Sequence, residues 1–134
     1  MTTSICMPEE QYDQLWVASW LLKKTASDII LDAVREFLAR WKQQIDRALE
    51  AKKEVDAGFS LPMPRVRQQK KGNAWRSPSI AVSDDELLRL RVASWLLNRT
   101  ISDFAREAIE SHIQPWQAAI QLVIDARNKA RSMI

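Results

Sequence analysis

Few side chains in this sequence could carry out covalent chemistry. It holds one histidine, His112, and one cysteine, Cys6. A catalytic nucleophile needs a base beside it, and a single imidazole leaves little from which to build such a set. A Cys/His zinc cluster needs more ligands than the chain owns, and one thiol forms no disulfide within it. Two glycines are too few for a Gly-rich phosphate loop. No catalytic residue, metal ligand or cofactor is expected.

The sequence is richer in hydrogen-bonding groups at regular spacing. Thr2, Ser4 and Cys6 alternate with Ile5 and Met7, and Ser77, Ser79 and Ala81 alternate with Ile80 and Val82. Period-two alternation puts the four apolar side chains on one face and the small, mostly polar ones on the other. Further on, Thr25-Ala26-Ser27-Asp28 and Thr100-Ile101-Ser102-Asp103 fit a capping box with Asp in place of the usual Glu or Gln. Such a turn opens a helix whose first backbone N–H groups suit an anion. Lys24 and Arg99 stand just before the two turns.

The elements that position these residues are repeated. Val17-Ala18-Ser19-Trp20-Leu21-Leu22 recurs as Val92-Ala93-Ser94-Trp95-Leu96-Leu97, 75 residues on. At the same offset Ser4-Ile5 matches Ser79-Ile80, and Thr25, Ser27 and Asp28 match Thr100, Ser102 and Asp103. Trp41 and Ile45 match Trp116 and Ile120, and no gap is needed anywhere. A repeat of this kind marks a duplicated structural unit. A unit of roughly 55 to 60 residues buries a good core poorly by itself. Two copies in one chain are expected to cover each other's apolar faces as a pseudo-two-fold dimer.

Within a unit the short alternating strand is followed by helices. Pro8-Glu9-Glu10 and Ser83-Asp84-Asp85-Glu86 read as helix starts, with acids in the first turn. Helix A should run to about Lys23 and Asn98. Helix B then carries Ile29, Ile30, Ala33, Val34 and Phe37 in one unit, and Phe104, Ala105, Ala108, Ile109 and Ile113 in the other. Beyond it, Trp41, Ile45, Ala48 and Leu49 match Trp116, Ile120, Val123 and Ile124 on one helical stripe. Pro115 should start a separate third helix. Arg40 stands at that place in the first unit, which leaves room for an unbroken helix towards Glu54. Trp20, Trp95, Trp41 and Trp116 recur in register and are expected in the core, and His112 at a boundary or surface.

The order of strand, helix A, capped turn and helix B resembles the ribbon-helix-helix (Arc/MetJ/CopG) family of DNA-binding proteins. The stretch from Thr100 to Ile109 looks like that family's start of helix B. The duplication in one chain is similar to the tandem TraY-type proteins of plasmid transfer. The resemblance implies a mainly α fold class: a tandem ribbon-helix-helix pseudo-dimer with a two-stranded antiparallel ribbon and C-terminal helical extensions. The units would span residues 1–57 and 77–134, joined by a basic linker at 58–76.

The resemblance also implies a role. A sequence-specific double-stranded DNA-binding protein would insert the ribbon in the major groove. Thr2, Ser4, Cys6, Ser77, Ser79 and Ala81 would then face bases. Lys24, Thr25, Ala26 and Ser27, with Arg99, Thr100, Ile101 and Ser102, would face phosphates. A transcriptional repressor or a plasmid transfer or maintenance accessory protein fits best. The alternative is a protein-interaction module, an antitoxin or recruitment subunit acting through the C-terminal helices. Self-association or a protein partner is expected around Trp41 and Trp116. Family ribbons usually present Arg, Lys, Asn or Gln to bases, whereas the outward residues here are small. Shape readout or the linker would then supply part of the specificity.

Charge supports the linker's part in this. Arg65, Arg67, Lys70, Lys71 and Arg76 give it +5 with no acid, against +3 for the whole chain, so the remainder is net acidic. Basic arms of this kind contact DNA in other proteins, and Trp75 beside Arg76 is a candidate for stacking. With 46% apolar and 28% charged residues the composition is that of a globular protein. No apolar run approaches a membrane span, so no membrane partner is expected, and a cytoplasmic location is the default.

Overall fold

The computed structural model describes residues 2–55 and 75–134. They form a mainly helical protein with two small antiparallel strand pairs. The first repeat supplies β1 (Thr2–Ser4), β2 (Met7–Pro8), α1 (Glu9–Leu22), α2 (Ala26–Ala39) and α3 (Lys42–Val55). The second supplies β3 (Trp75–Arg76), β4 (Ser79–Ala81), α4 (Asp84–Leu97), α5 (Ile101–Ile113) and α6 (Gln117–Ser132). No helix among the described residues is long and apolar enough to cross a membrane.

The two strand pairs share one alignment. Thr2 lies opposite Ala81, Ser4 opposite Ser79, Met7 opposite Arg76 and Pro8 opposite Trp75. They are one ribbon, interrupted where Pro78 has no N–H to offer; its carbonyl still accepts from the Ile5 N–H at 2.9 Å. Ser4 pairs with its own repeat equivalent, Ser79, so this rung relates the two halves. Ile5, Met7, Ile80 and Val82 are all buried beneath the ribbon, as period-two alternation requires.

Helix boundaries follow local chemistry. The Ser83 side chain accepts from the Glu86 N–H while the Glu86 carboxylate accepts from the Ser83 N–H, a complete capping box at the start of α4. α1 starts after Pro8 without a side-chain cap, and Glu9 and Glu10 complement its dipole. α1 and α4 end alike, with Lys23 at φ 55° and Asn98 at φ 53° in the left-handed conformation. Their following N–H groups turn back to the carbonyls of Ser19 and Ser94, satisfying acceptors that a helix end leaves over.

The core is shared between the repeats. α2 packs along α5, burying Ile29, Ile30, Ala33 and Val34 against Ala105, Ala108 and Ile109. At one end Phe37 meets Phe104 with ring centroids 5.1 Å apart, and Trp41 closes on Phe37 at 4.8 Å. The outer helices cross over: α3 covers α4, and α6 covers α1. Arg89 to Asp46 and Arg127 to Asp13, each at 3.1 Å, tie these crossed pairs together. Every buried side-chain nitrogen and oxygen among the described residues has a hydrogen-bond partner.

Three expectations are corrected. The first unit's helix does not run on to Glu54: α2 stops at Ala39, and the N–H groups of Arg40 and Trp41 tighten onto Phe37 and Leu38. The reason is tertiary, since a chain that turns after α2 lets α3 pack against α4. In the second unit Pro115 lies in a 3₁₀ turn, Gln114–Trp116, before α6. The tryptophans divide: Trp41 packs on the core, whereas Trp20 is 71% exposed, Trp95 46% and Trp116 37%. α1 and α4 are apolar around much of their circumference, but each has one uncovered face, and Trp20 and Trp95 lie on it. The linker boundary also moves, because Trp75 and Arg76 belong to the ribbon.

Arg35 on α2 meets Glu86 on α4 at 2.7 Å, joining the two repeats. Its hydrogen bonds hold the Glu86 carboxyl below the usual carboxylate range, against an opposing push from desolvation. A carboxylate depressed in the folded state stabilises it above the ordinary range near pH ~4.3. That contribution disappears as pH falls through the lowered value. Glu86→Gln should therefore reduce stability at neutral pH and soften the loss in acid, read from denaturation midpoints between neutral pH and the acid limb. Parallel curves for the two proteins would contradict the assignment. Phe104→Ala should cost about 3 to 5 kcal/mol in chemical denaturation, whereas Trp20→Ala should stay within about 0.5 kcal/mol. Equal costs would refute the division of the aromatics.

Candidate nucleic-acid interface

The candidate interface is the outer face of the ribbon with the two helix starts beside it. Alternation turns Thr2, Ser4, Ser77, Ser79 and Ala81 outward, and all five are exposed. Cys6 is half-buried. The Ser4 and Ser79 hydroxyls stand 3.4 Å apart at the ribbon's centre, and the Cys6 thiol is 3.4 Å from the Ser77 hydroxyl. The face is therefore shallow and uncharged, with hydroxyls that can donate or accept. Its flatness follows directly from side-chain size.

The helix starts are locked to the ribbon. Ser27 Oγ, in the first turn of α2, donates to the Ser79 carbonyl at 3.2 Å. Ser102 Oγ, in the first turn of α5, accepts from the Cys6 N–H at 3.0 Å. Each clip crosses from one repeat to the other's strand. The capped turns thus flank the ribbon at fixed positions. Thr25 Oγ1 accepts from the Asp28 N–H and Thr100 Oγ1 from the Asp103 N–H, both at 3.1 Å. Only the threonine half of the expected capping box forms here, because an Asp side chain is one methylene short of the reach that Glu86 has at α4. Asp103 instead lies 3.6 Å from Arg106.

The cations beside these turns obey the repeat. Lys24 pairs with Asp32 at 3.0 Å and Arg99 with Glu107 at 3.2 Å, at equivalent positions. Both cation side chains are about half exposed, at 52%. Exposed pairs of this kind are worth little, so the cations can exchange a carboxylate for another anion at small cost. Thr25 is exposed, and Ala26, Ser27, Thr100, Ile101 and Ser102 are half-buried. What these turns could offer an anion is the backbone N–H groups of a helix's first turn.

Of the basic linker's charged residues only Arg76 lies among the described residues. Arg65, Arg67, Lys70 and Lys71 lie outside the described residues. Arg76 lies in β3, where its guanidinium meets Glu9 at 3.2 Å. Trp75, a stacking candidate by sequence, has an occupant already: the Arg106 guanidinium sits 5.4 Å from its ring centre. Arg106 also donates to the Gln11 side chain at 3.2 Å, while Gln11 donates to the Arg106 carbonyl at 2.9 Å. Trp75 is thereby part of the anchor for the ribbon's end.

Sequence reading missed the two serine clips. Their signal is visible in retrospect: Ser27 and Ser102 occupy the same position after each capping threonine, and a cap alone does not require a serine there. The strand at Trp75-Arg76 had a weaker signal, since two residues show no periodicity. His112 sits where a boundary residue should, with Nδ1 2.8 Å from Glu36 across the α2–α5 contact. Among the described residues no group of His, Cys, Asp and Glu could hold a metal ion. A polar cleft between α1 and α5 gathers Glu10, Gln11 and Gln14 with Arg99, Arg106 and Glu107, charges of both signs. Comparison with protein-family models, curated proteins and solved structures finds no match to this chain.

Thr25→Ala and Thr100→Ala should each destabilise by about 0.5 to 2 kcal/mol through the lost cap. Ser27→Ala with Ser102→Ala should leave both helices capped but loosen the ribbon, seen as faster amide exchange at Ile5 and Ile80. Unchanged exchange there would mean that the clips do not hold the strands.

Proposed function

We propose that the chain is a tandem ribbon-helix-helix pseudo-dimer that binds double-stranded DNA by laying its ribbon in the major groove. One observation carries this reading: an antiparallel ribbon, self-paired at Ser4 and Ser79, exposes the small side chains of Thr2, Ser4, Ser77, Ser79 and Ala81 between two capped helix starts. A groove about 12 Å wide admits a two-stranded ribbon. The N–H groups of α2 and α5 would then reach phosphates on either side, with Lys24 and Arg99 adding charge. Phosphate contacts set position, and Thr2, Ser4, Ser77, Ser79 and Ala81 would read bases. Hydroxyls meet several base edges, and Ala81 or the Thr2 methyl suits a thymine methyl.

The two strands differ in sequence, so the preferred site is an imperfect palindrome. A small-residue ribbon reads weakly by direct contact, which gives DNA shape and the basic linker a share in selection. A transcriptional regulator, most simply a repressor, or an accessory protein of plasmid transfer or maintenance fits such binding. A protein partner around Trp41 and Trp116 is the second reading: Trp41 packs against Phe37 and Phe104, whereas Trp116 is exposed.

Binding site selection from random duplexes, followed by salt titration on the selected and scrambled sequences, tests the proposal. Ser4→Ala with Ser79→Ala should reduce discrimination by about 1 to 3 kcal/mol per lost base contact, with folding intact. Neutralising Arg65, Arg67, Lys70 and Lys71 should lower affinity for every duplex. It should also flatten the salt dependence by up to about 0.9 per lost phosphate contact. No binding to any duplex at low salt would end the proposal. Full specificity in the ribbon variant, with its loss in the linker variant, would move recognition to the linker.

A further inference from the structure

The largest apolar side chains left in solvent within one helix belong to α1. Trp16 is 59% exposed and Trp20 71%, four residues apart and therefore on one face. Together the two rings present on the order of 300 Å² to water, comparable to the largest apolar patch on a typical monomer, which is often functional. The fold does not need them there, since the buried side of α1 is made by Leu15 and Ala18.

Charge along the same face is graded. Glu9 and Glu10 occupy the first turn, the tryptophans follow, and Lys23 and Lys24 stand just past the end. At 3.6 residues per turn Glu9, Trp16 and Trp20 form one stripe, and Lys23, in the left-handed C-cap, and Lys24 follow at its far end. The helix thus reads acid, aromatic, aromatic, base. Such a stripe is complementary to itself only when reversed.

We propose that α1 is a self-association surface, through which a second copy of this chain docks its own α1 in antiparallel orientation. The four tryptophans then stack across a two-fold axis, and the acidic start of each helix meets the basic end of the other. A parallel arrangement would place like charges together. The contact is isologous and closes at two chains. α4 does not offer the same surface, because Arg91 replaces the first tryptophan and Trp95 stands there alone. The patch is well below the ~800 Å² per partner of a standard stable interface, so the dimer is weak and reversible, with tryptophan as its energetic centre. The inference does not rest on DNA binding: α1 carries none of the ribbon's outward residues, and Lys24 is the one residue that the two readings share.

Sedimentation equilibrium of the full chain, without DNA and up to about 1 mM, is the test. The wild type should fit a monomer–dimer equilibrium that weakens with salt. Trp16→Ala with Trp20→Ala should raise the dissociation constant at least about tenfold, with an unchanged circular dichroism spectrum. Two charge-swapped proteins add an arm that misfolding cannot mimic. Glu9→Lys with Glu10→Lys, and Lys23→Glu with Lys24→Glu, should each be monomeric. Mixed in equal amounts they should form a heterodimer. The native ion pairs these changes remove, Glu9 to Arg76 and Lys24 to Asp32, are exposed and contribute little to folding. A wild type that stays monomeric throughout, growth beyond dimers, dimerisation insensitive to the tryptophan changes, or a monomeric mixture would each overturn the proposal.

Discussion

Everything in this protein depends on the packing of α2 against α5. Neither repeat has the length to bury its own apolar faces, and each supplies what the other lacks. Ile29, Ile30 and Val34 are sealed by Ala105, Ala108 and Ile109, and the Phe37, Phe104 and Trp41 rings close one end. The ribbon is the lid on this core, with Ile5, Met7, Ile80 and Val82 pressed onto it. Removing either repeat would expose all of these surfaces at once. The strands therefore owe their position to the helices, since two strands of three residues cannot stand alone in water.

The duplication is maintained in its architecture and relaxed in its chemistry. Lys24–Asp32 and Arg99–Glu107 are the same ion pair twice. Gln11 and Glu86 occupy equivalent places but meet different partners, Arg106 and Arg35. Both links cross from one repeat to the other, so the requirement at that place is a crossing tie rather than a given residue. A single chain allows this divergence. A homodimer would have to change both halves together, whereas here Gln11 and Glu86 differ freely. Any ligand of the ribbon face meets an approximate two-fold surface.

α1 and α4 show where helical composition misleads. Both are apolar around most of their circumference, which suggests burial on several sides. The crossed helices α6 and α3 cover one side of each, and the core covers another. One face remains, and on α1 it holds two tryptophans. An aromatic side chain kept in water contributes nothing to folding that a smaller residue would not. Its presence is explained by contact with something else, and the charge gradient along the helix says in which orientation.

The sequence by itself determined the elements. Period-two alternation set which ribbon side chains face out, Thr25 and Thr100 set where α2 and α5 begin, and the gapless repeat set that two halves share one core. These are local rules, or rules of symmetry, and need no knowledge of neighbours. Tertiary structure alone decided the break at Arg40, because the chain turns there as α3 packs on α4 and not from any breaker residue. It alone made Ser27 and Ser102 into clips, since a hydroxyl's partner across 52 or 96 residues of chain is set by packing. It alone sorted the tryptophans. Trp41 and Trp20 are equally apolar in sequence, and only the crossing of the outer helices leaves one inside and the other in solvent.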